Sequence, residues 1–161
     1  MVAFASVVGV LVVVIVLVLL AARLGLFQGR PPKLGVRDGR LKPPSRTPNS
    51  VSSQAHLYPE APPKDYAAIA PFRLRGDGPA SIARLRTQLD TRPGTRIVEA
   101  RDDYLYVQFT TRWMRFVDDA EFWYAPAEQV IHVRSSSRVG RKDYGVNRKR
   151  IEAIRRRYDA A

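Results

Sequence analysis

The sequence predicts an α+β protein: an N-terminal transmembrane helix, then an antiparallel sheet of about four strands with helices on one face. Three observations carry this reading. The first 22 residues hold no charged side chain, and every charged residue of the chain follows them. Between residues 79 and 158 the apolar positions run at helical spacing, then alternate with polar ones, then return to helical spacing. Proline clusters separate this patterned stretch from the uncharged block. Helix, strands and helix pack most economically as one helical layer on one sheet face. Residues 1–23 are then an anchor, 24–65 a Pro/Gly-rich linker partly packed on the domain, and 66–161 a soluble α+β domain.

Val2 to Ala22 reads VAFASVVGVLVVVIVLVLLAA. At 1.5 Å per residue it makes about 30 Å of helix, the hydrocarbon thickness of a bilayer. A signal peptide carries a basic start and an apolar core of about 7–15 residues. This run lacks the first and exceeds the second, so an uncleaved single-pass helix is expected, with cleavage after Ala22 as the alternative. Gln28 to Lys64 follows. Its Pro31-Pro32, Pro43-Pro44, Pro48 and Pro62-Pro63 rule out long helices and central strands. The islands Leu34–Leu41 and Asn49–Ala55 exceed what a tether needs, so the segment is expected to lie along the domain.

Asp77 or Gly78 caps a helix over Pro79 to Leu89, with Ile82, Leu85 and Leu89 on one face. Arg92-Pro93-Gly94 ends it. Strands follow at Arg96–Ala100, Tyr104–Thr111, Phe116–Tyr124 and Val130–Ser136, the last two joined by a hairpin turn over Ala125–Gln129. In the second strand Leu105, Val107 and Phe109 face the core, and Tyr104 and Tyr106 face outward, exposed. A final helix from Gly145 to Tyr158 buries Ile151, Ile154 and Tyr158.

Charge narrows the partners. The net charge is +12, and cysteine is absent. Without cysteine there are no disulfides, thiolate nucleophiles or cysteine zinc sites. With only His56 and His132, neither a multi-histidine metal centre nor any other metal or cofactor is expected. Tyr66 to Val133 is neutral, with nine residues of each sign. Arg134 to Ala161 holds ten basic and three acidic residues, an excess of seven. A basic end beside an anchor suits anionic lipid headgroups or an acidic protein. Nucleic acid is disfavoured, because no recognised binding module accompanies the charge. Arg23, Arg30, Lys33, Arg37 and Arg40 follow the apolar run with only Asp38 against them, which places the domain in the cytoplasm by the positive-inside rule.

Two segments are dense in polar groups: Phe116-Val-Asp-Asp-Ala-Glu-Phe122, and His132-Val-Arg-Ser-Ser-Ser-Arg-Val-Gly-Arg-Lys-Asp-Tyr-Gly-Val-Asn-Arg-Lys-Arg-Ile-Glu152. Together they resemble the bacterial and plastid family catalogued as domain of unknown function 1499. Arg134, Ser135, Ser137, Arg138, Gly140, Asp143, Gly145, Asn147, Arg148, Arg150, Ile151 and Glu152 match its long motif. The resemblance extends back to Leu34-Gly35. It implies a membrane or envelope protein, here at a bacterial inner membrane, and no particular activity. Two cysteines of the family pattern are replaced by Pro44 and Ser50. Their joint loss implies a disulfide in relatives and hence an extracytoplasmic setting there, against the charge rule applied to this chain.

The hairpin sets Asp118 or Asp119 across from Arg134, and His132 near Glu121 or Phe122. Serine hydroxyls, the amides of the last helix, Arg134, Arg138 and Arg148 would gather at one end of the sheet, as an anion site requires. The alternative is an internal network in which Asp118, Asp119, Asp143 and Glu152 pair with Arg134, Arg138 and Arg150 and cap the helix. The candidate residues are therefore Asp118, Asp119, Glu121, Arg134, Ser135, Ser137, Arg138, Asp143, Asn147, Arg148, Arg150 and Glu152, and none is assigned a catalytic role. A hydrolase or metal-dependent enzyme using Asp119, Glu121 and His132 is the competing reading. It is weakened because Asp118 and Asp119 are strand neighbours on opposite faces and cannot form a dyad.

Overall fold

The computed structural model describes residues 2–59 and 64–160, so Pro62-Pro63 lie outside it. Helix α1 runs from Val2 to Arg23. Its Ser6–Arg23 stretch is long and apolar enough to cross a membrane and is scarcely covered by the rest of the chain.

The sheet is antiparallel and has six strands: β1 (Ser50–Ser52), β2 (Phe72–Arg73), β3 (Thr95–Ala100), β4 (Tyr104–Thr110), β5 (Val117–Ala125) and β6 (Val130–Ser137). Strands β3 to β6 form the expected meander. The two further strands lie end to end along β6, with β1 on its last residues and β2 on its first. At three and two residues they are too short for an alternation to show in sequence. Their pairing covers an edge of β6 that would otherwise expose backbone donors. A four-residue helix, α2 (Lys64–Ala67), lies between them in sequence.

Helices α3 (Gly78–Asp90) and α4 (Val146–Ala160) cover one sheet face. Ile82, Leu85 and Leu89 from α3, with Ile151, Ile154 and Tyr158 from α4, pack on Leu105, Val107, Phe122, Ile131 and Val133. Each of these aliphatic side chains is almost fully buried, which contributes about 1.5–3 kcal/mol apiece. Asp77 starts α3, its carboxylate accepting from the Ala80 amide at 2.7 Å. The next residue must be glycine, since a Cβ on Gly78 would stand 2.1 Å from the Tyr124 ring.

The opposite face is covered as well, which corrects the expectation that Tyr104 and Tyr106 are exposed. They are 1% and 8% exposed. Residues 29–48 cross this face as an irregular strap, with Leu34, Val36 and Leu41 packed on Tyr104, Tyr106 and Trp123. The hairpin register also differs. Strand β5 continues to Ala125, which pairs with Val130, so the turn has four residues and Gln129 takes a left-handed φ of 53°. Glu121, not Asp118 or Asp119, therefore sits across from Arg134, and Trp123 across from His132.

Candidate functional site

Asp118 and Asp119 are consecutive on β5, so the pleat sends them to opposite faces. Each seeds its own polar cluster.

On the helix face, Arg150 of α4 donates to Asp118 at 2.5 Å and lies 4.7 Å from the centroid of the Phe109 ring. Arg150 also donates to Asn147 Oδ1, which accepts the Ser135 hydroxyl at 2.5 Å. Asn147 is fully buried, and its amide nitrogen donates to Asp143, to Ser137 Oγ and to the Asn49 carbonyl. Asp143 in turn accepts from the backbone amides of Gly145 and Asn147, both at 3.0 Å, and from the Tyr66 hydroxyl. The carboxylate thus takes the place an external anion would occupy at the start of α4. Arg148 is spent on the carbonyls of Tyr66 and Ala68, and Glu152 on Arg155.

On the strap face, Arg138 forks onto Asp119 with two bonds of 2.7 Å, the strong bidentate form. The Tyr106 hydroxyl donates to the same carboxylate at 2.5 Å. This hydrogen bonding raises the Arg138 pKa above its ordinary value. Glu121 is fully buried. Its Oε1 accepts from the Gly35 amide at 2.9 Å and the Tyr104 hydroxyl at 2.8 Å. Its Oε2 has no hydrogen bond, and Arg134 stands 3.8 Å away. Burial raises the Glu121 pKa, against the lowering effects of the Gly35 amide and Arg134. Burial likewise lowers that of Arg134 and, with the Glu121 charge, raises that of Tyr104. Arg134 donates its Nε to the Pro43 carbonyl at 3.1 Å.

The structure thus divides the candidate residues. Asp118, Ser135, Asp143, Asn147 and Arg150 form one group, Asp119, Glu121, Arg134 and Arg138 the other, and Ser137 lies where the two meet. His132 is separate from both: its ring stacks on Trp123, and its nitrogens are 3.0 Å from Ser53 Oγ and Glu128 Oε1. Among the described residues no three His, Asp or Glu side chains are placed to hold a metal ion.

A cavity of about 370 Å³ opens between strap and sheet at the Arg134–Arg138 end of the second cluster. Arg30, Lys42, Arg134 and Arg138 line it, with Ser45, Ser136 and Ser137; among the described residues its one carboxylate is Asp119. A larger cavity of about 670 Å³ lies along the strap itself, its polar lining made of Lys33, Arg37, Asp38, Arg40, Lys42 and Tyr58. Where the resemblance implies a cystine between positions 44 and 50, the Ser50 hydroxyl accepts from the Ser45 amide at 2.7 Å and closes the same small loop.

Residues 40–157 match the family described as "Protein of unknown function (DUF1499)". The chain belongs to this family. No curated protein and no solved structure matches it. The match spans the second half of the strap, the whole sheet and most of α4, so both polar clusters lie within it except for Gly35 and Arg30. Sequence reasoning missed Tyr104 and Tyr106, which hydrogen-bond the two strap-face carboxylates. Their signal was present, because they share an alternation phase with Glu121 and Asp119 across the β4–β5 ladder. The Gly35 amide and Pro43 carbonyl carry no sequence signal, since any residue supplies a backbone group.

Proposed function

We propose that this chain is a membrane-anchored, non-catalytic module whose basic cavity beneath Pro43-Pro44 holds an anionic group. The charge balance of that cavity carries the reading. Four cations line it and one carboxylate faces them, and Asp119 is already matched by Arg138 and Tyr106. Arg134 stands 3.8 Å from Glu121 and hydrogen-bonds no carboxylate among the described residues, and Arg30 and Lys42 are exposed. Guanidinium, ammonium and hydroxyl donors around an open cavity are what a phosphate or carboxylate needs. The length and apolarity of α1 support the anchor. The hydrolase reading lacks comparable support: Asp119, Glu121 and His132 already have partners, and His132 belongs to neither cluster.

The test uses the full chain in neutral-lipid nanodiscs, melted in phosphate or chloride at equal ionic strength. A ligand that binds only the folded state raises its stability by mass action. Phosphate should raise the melting temperature of the parent, and the rise should vanish in the Arg30→Gln/Lys42→Gln variant. Equal melting of parent and variant in both salts sinks the anion site. Carbonate washing of vesicles tests the anchor independently, since release into the soluble fraction removes it.

A further inference from the structure

After α1, the exposed large apolar side chains of the described residues are Leu24, Leu26, Trp113, Val139, Tyr144 and Val146, with Val98 standing apart. Single exposed apolar residues on a soluble surface need no explanation. These six do, because they share one end of the molecule. Trp113 is at the tip of the β4–β5 turn, and Val139 and Tyr144 are in the β6–α4 loop. Both connections lie at the sheet end where Asp118 pairs with Ser137. Leu24 and Leu26 are the first residues beyond α1. That segment touches the same end: the Phe27 and Phe116 rings are 6.0 Å apart, and Gly29 lies against Arg138 and Val139.

The β4–β5 turn is held rather than loose. The Thr111 amide donates to the Phe116 carbonyl at 2.9 Å, and the Phe116 amide to Thr111 Oγ1 at 3.0 Å. Arg115 takes a left-handed φ of 56°, and the Arg112 guanidinium lies 5.1 Å from the centroid of the Trp113 ring. The turn therefore presents one indole, 64% exposed, flanked by two arginines. No Asp or Glu occurs in residues 23–30 or 111–116, and the one in the β6–α4 loop, Asp143, is buried on the amides of Gly145 and Asn147, whereas Glu99, Asp102 and Asp103 sit around the β3–β4 turn at the far end of the sheet. Tryptophan beside arginine, with no exposed carboxylate in the same turn, is the composition that settles at the level of lipid headgroups.

We propose that the β4–β5 turn, with Trp113 at its tip, seats this end of the domain in the headgroup layer of the bilayer that α1 spans, on anionic lipid. This rests on the anchored reading above. The seating fixes the orientation of the domain as well as its tether, and it turns the cavity lined by Arg30 and Lys42 toward the lipid surface.

The full chain is reconstituted in vesicles of phosphatidylglycerol and phosphatidylcholine, with bromine on the upper acyl carbons. Trp113→Phe separates the two tryptophans, and the exposure of Trp113 makes that variant safe for folding. The parent should lose more emission to brominated lipid than the variant. Its Trp113 component should shift to the blue and be shielded from aqueous acrylamide. In phosphatidylcholine alone this difference should shrink; a difference indifferent to lipid charge overturns the anionic part. Equal loss in parent and variant, with Trp113 open to acrylamide, overturns the seating. Carbonate washing of the same vesicles distinguishes the two failures. Release of the chain sinks the anchor and the seating together, and retention with equal quenching sinks the seating alone.

Discussion

The two faces of the sheet are both buried, but by different materials. Helices α3 and α4 satisfy their own backbone, so the face beneath them has only to be apolar and close-fitting. Its polar cluster sits at the start of α4 and leaves no buried side-chain atom of Asp118, Asp143 or Asn147 without a partner. The strap cannot satisfy its own backbone. Within it the chain pairs at the Arg37–Arg40 turn, its Thr47 and Pro48 carbonyls accept from the amides of Asn49 and Asp143, and side chains supply further bonds. Glu121 accepts from Gly35, Gln54 bridges Leu41 and Gly39, Tyr58 donates to Leu41, and Arg134 donates to Pro43. A sheet face covered by irregular, proline-rich chain must therefore carry charged and amide side chains. The density of polar residues in the motif follows from that need as much as from any ligand.

The largest losses are expected at the charges. Asp119→Ala removes both strong bonds of the nearly buried Arg138 and should cost about 3–5 kcal/mol. Urea unfolding of the full chain checks it. Asp118→Ala should cost less, because Arg150 keeps Asn147 and the Phe109 ring. If both variants unfold like the parent, these residues do not hold the faces together.

Two leucines sharpen the contrast. Leu85→Ala under α3 and Leu41→Ala in the strap each empty a fully buried site, at about 2–5 kcal/mol by transfer and cavity terms. Leu85→Ala should lower the global midpoint. Leu41→Ala should instead speed hydrogen exchange and proteolysis within residues 29–48 and move the midpoint less, since the strap can open while the sheet and helices stay folded. Equal global losses would make strap and core one cooperative unit.

The smallest expected effect is a pH dependence. Burial raises the Glu121 pKa, so the folded state holds its proton more tightly than the unfolded chain. Its contribution to stability is full below the unfolded value and declines as pH rises through the raised one. Arg134, Tyr104 and Asp119 face this carboxyl and set the size of the effect. Glu121→Gln should flatten the decline above the ordinary carboxylate range, seen as the difference in urea midpoint between parent and variant across pH. A parent that gains stability over that window relative to the variant refutes the assignment.

The amino-acid order by itself determined most of the helix face. Periodicity placed β3 to β6, α3 and α4 within one or two residues, and chose Leu105, Val107, Ile151 and Ile154 for the core, because regular elements repeat their burial at a fixed interval. It also set Asp118 and Asp119 on opposite faces, since a strand alternates whatever surrounds it. The tertiary structure decided the rest. A proline-rich segment has no periodicity to reveal which residues it buries, so the burial of Leu41 beneath the strap's own backbone and the covering of Tyr104 and Tyr106 appear only once the chain has crossed the sheet. The partners of Glu121 and Arg134 depend on a register set by Ala125, which continues β5 instead of entering the turn. The backbone groups that complete the site, Gly35 N–H and Pro43 C=O, are common to every sequence, and only folding brings them there.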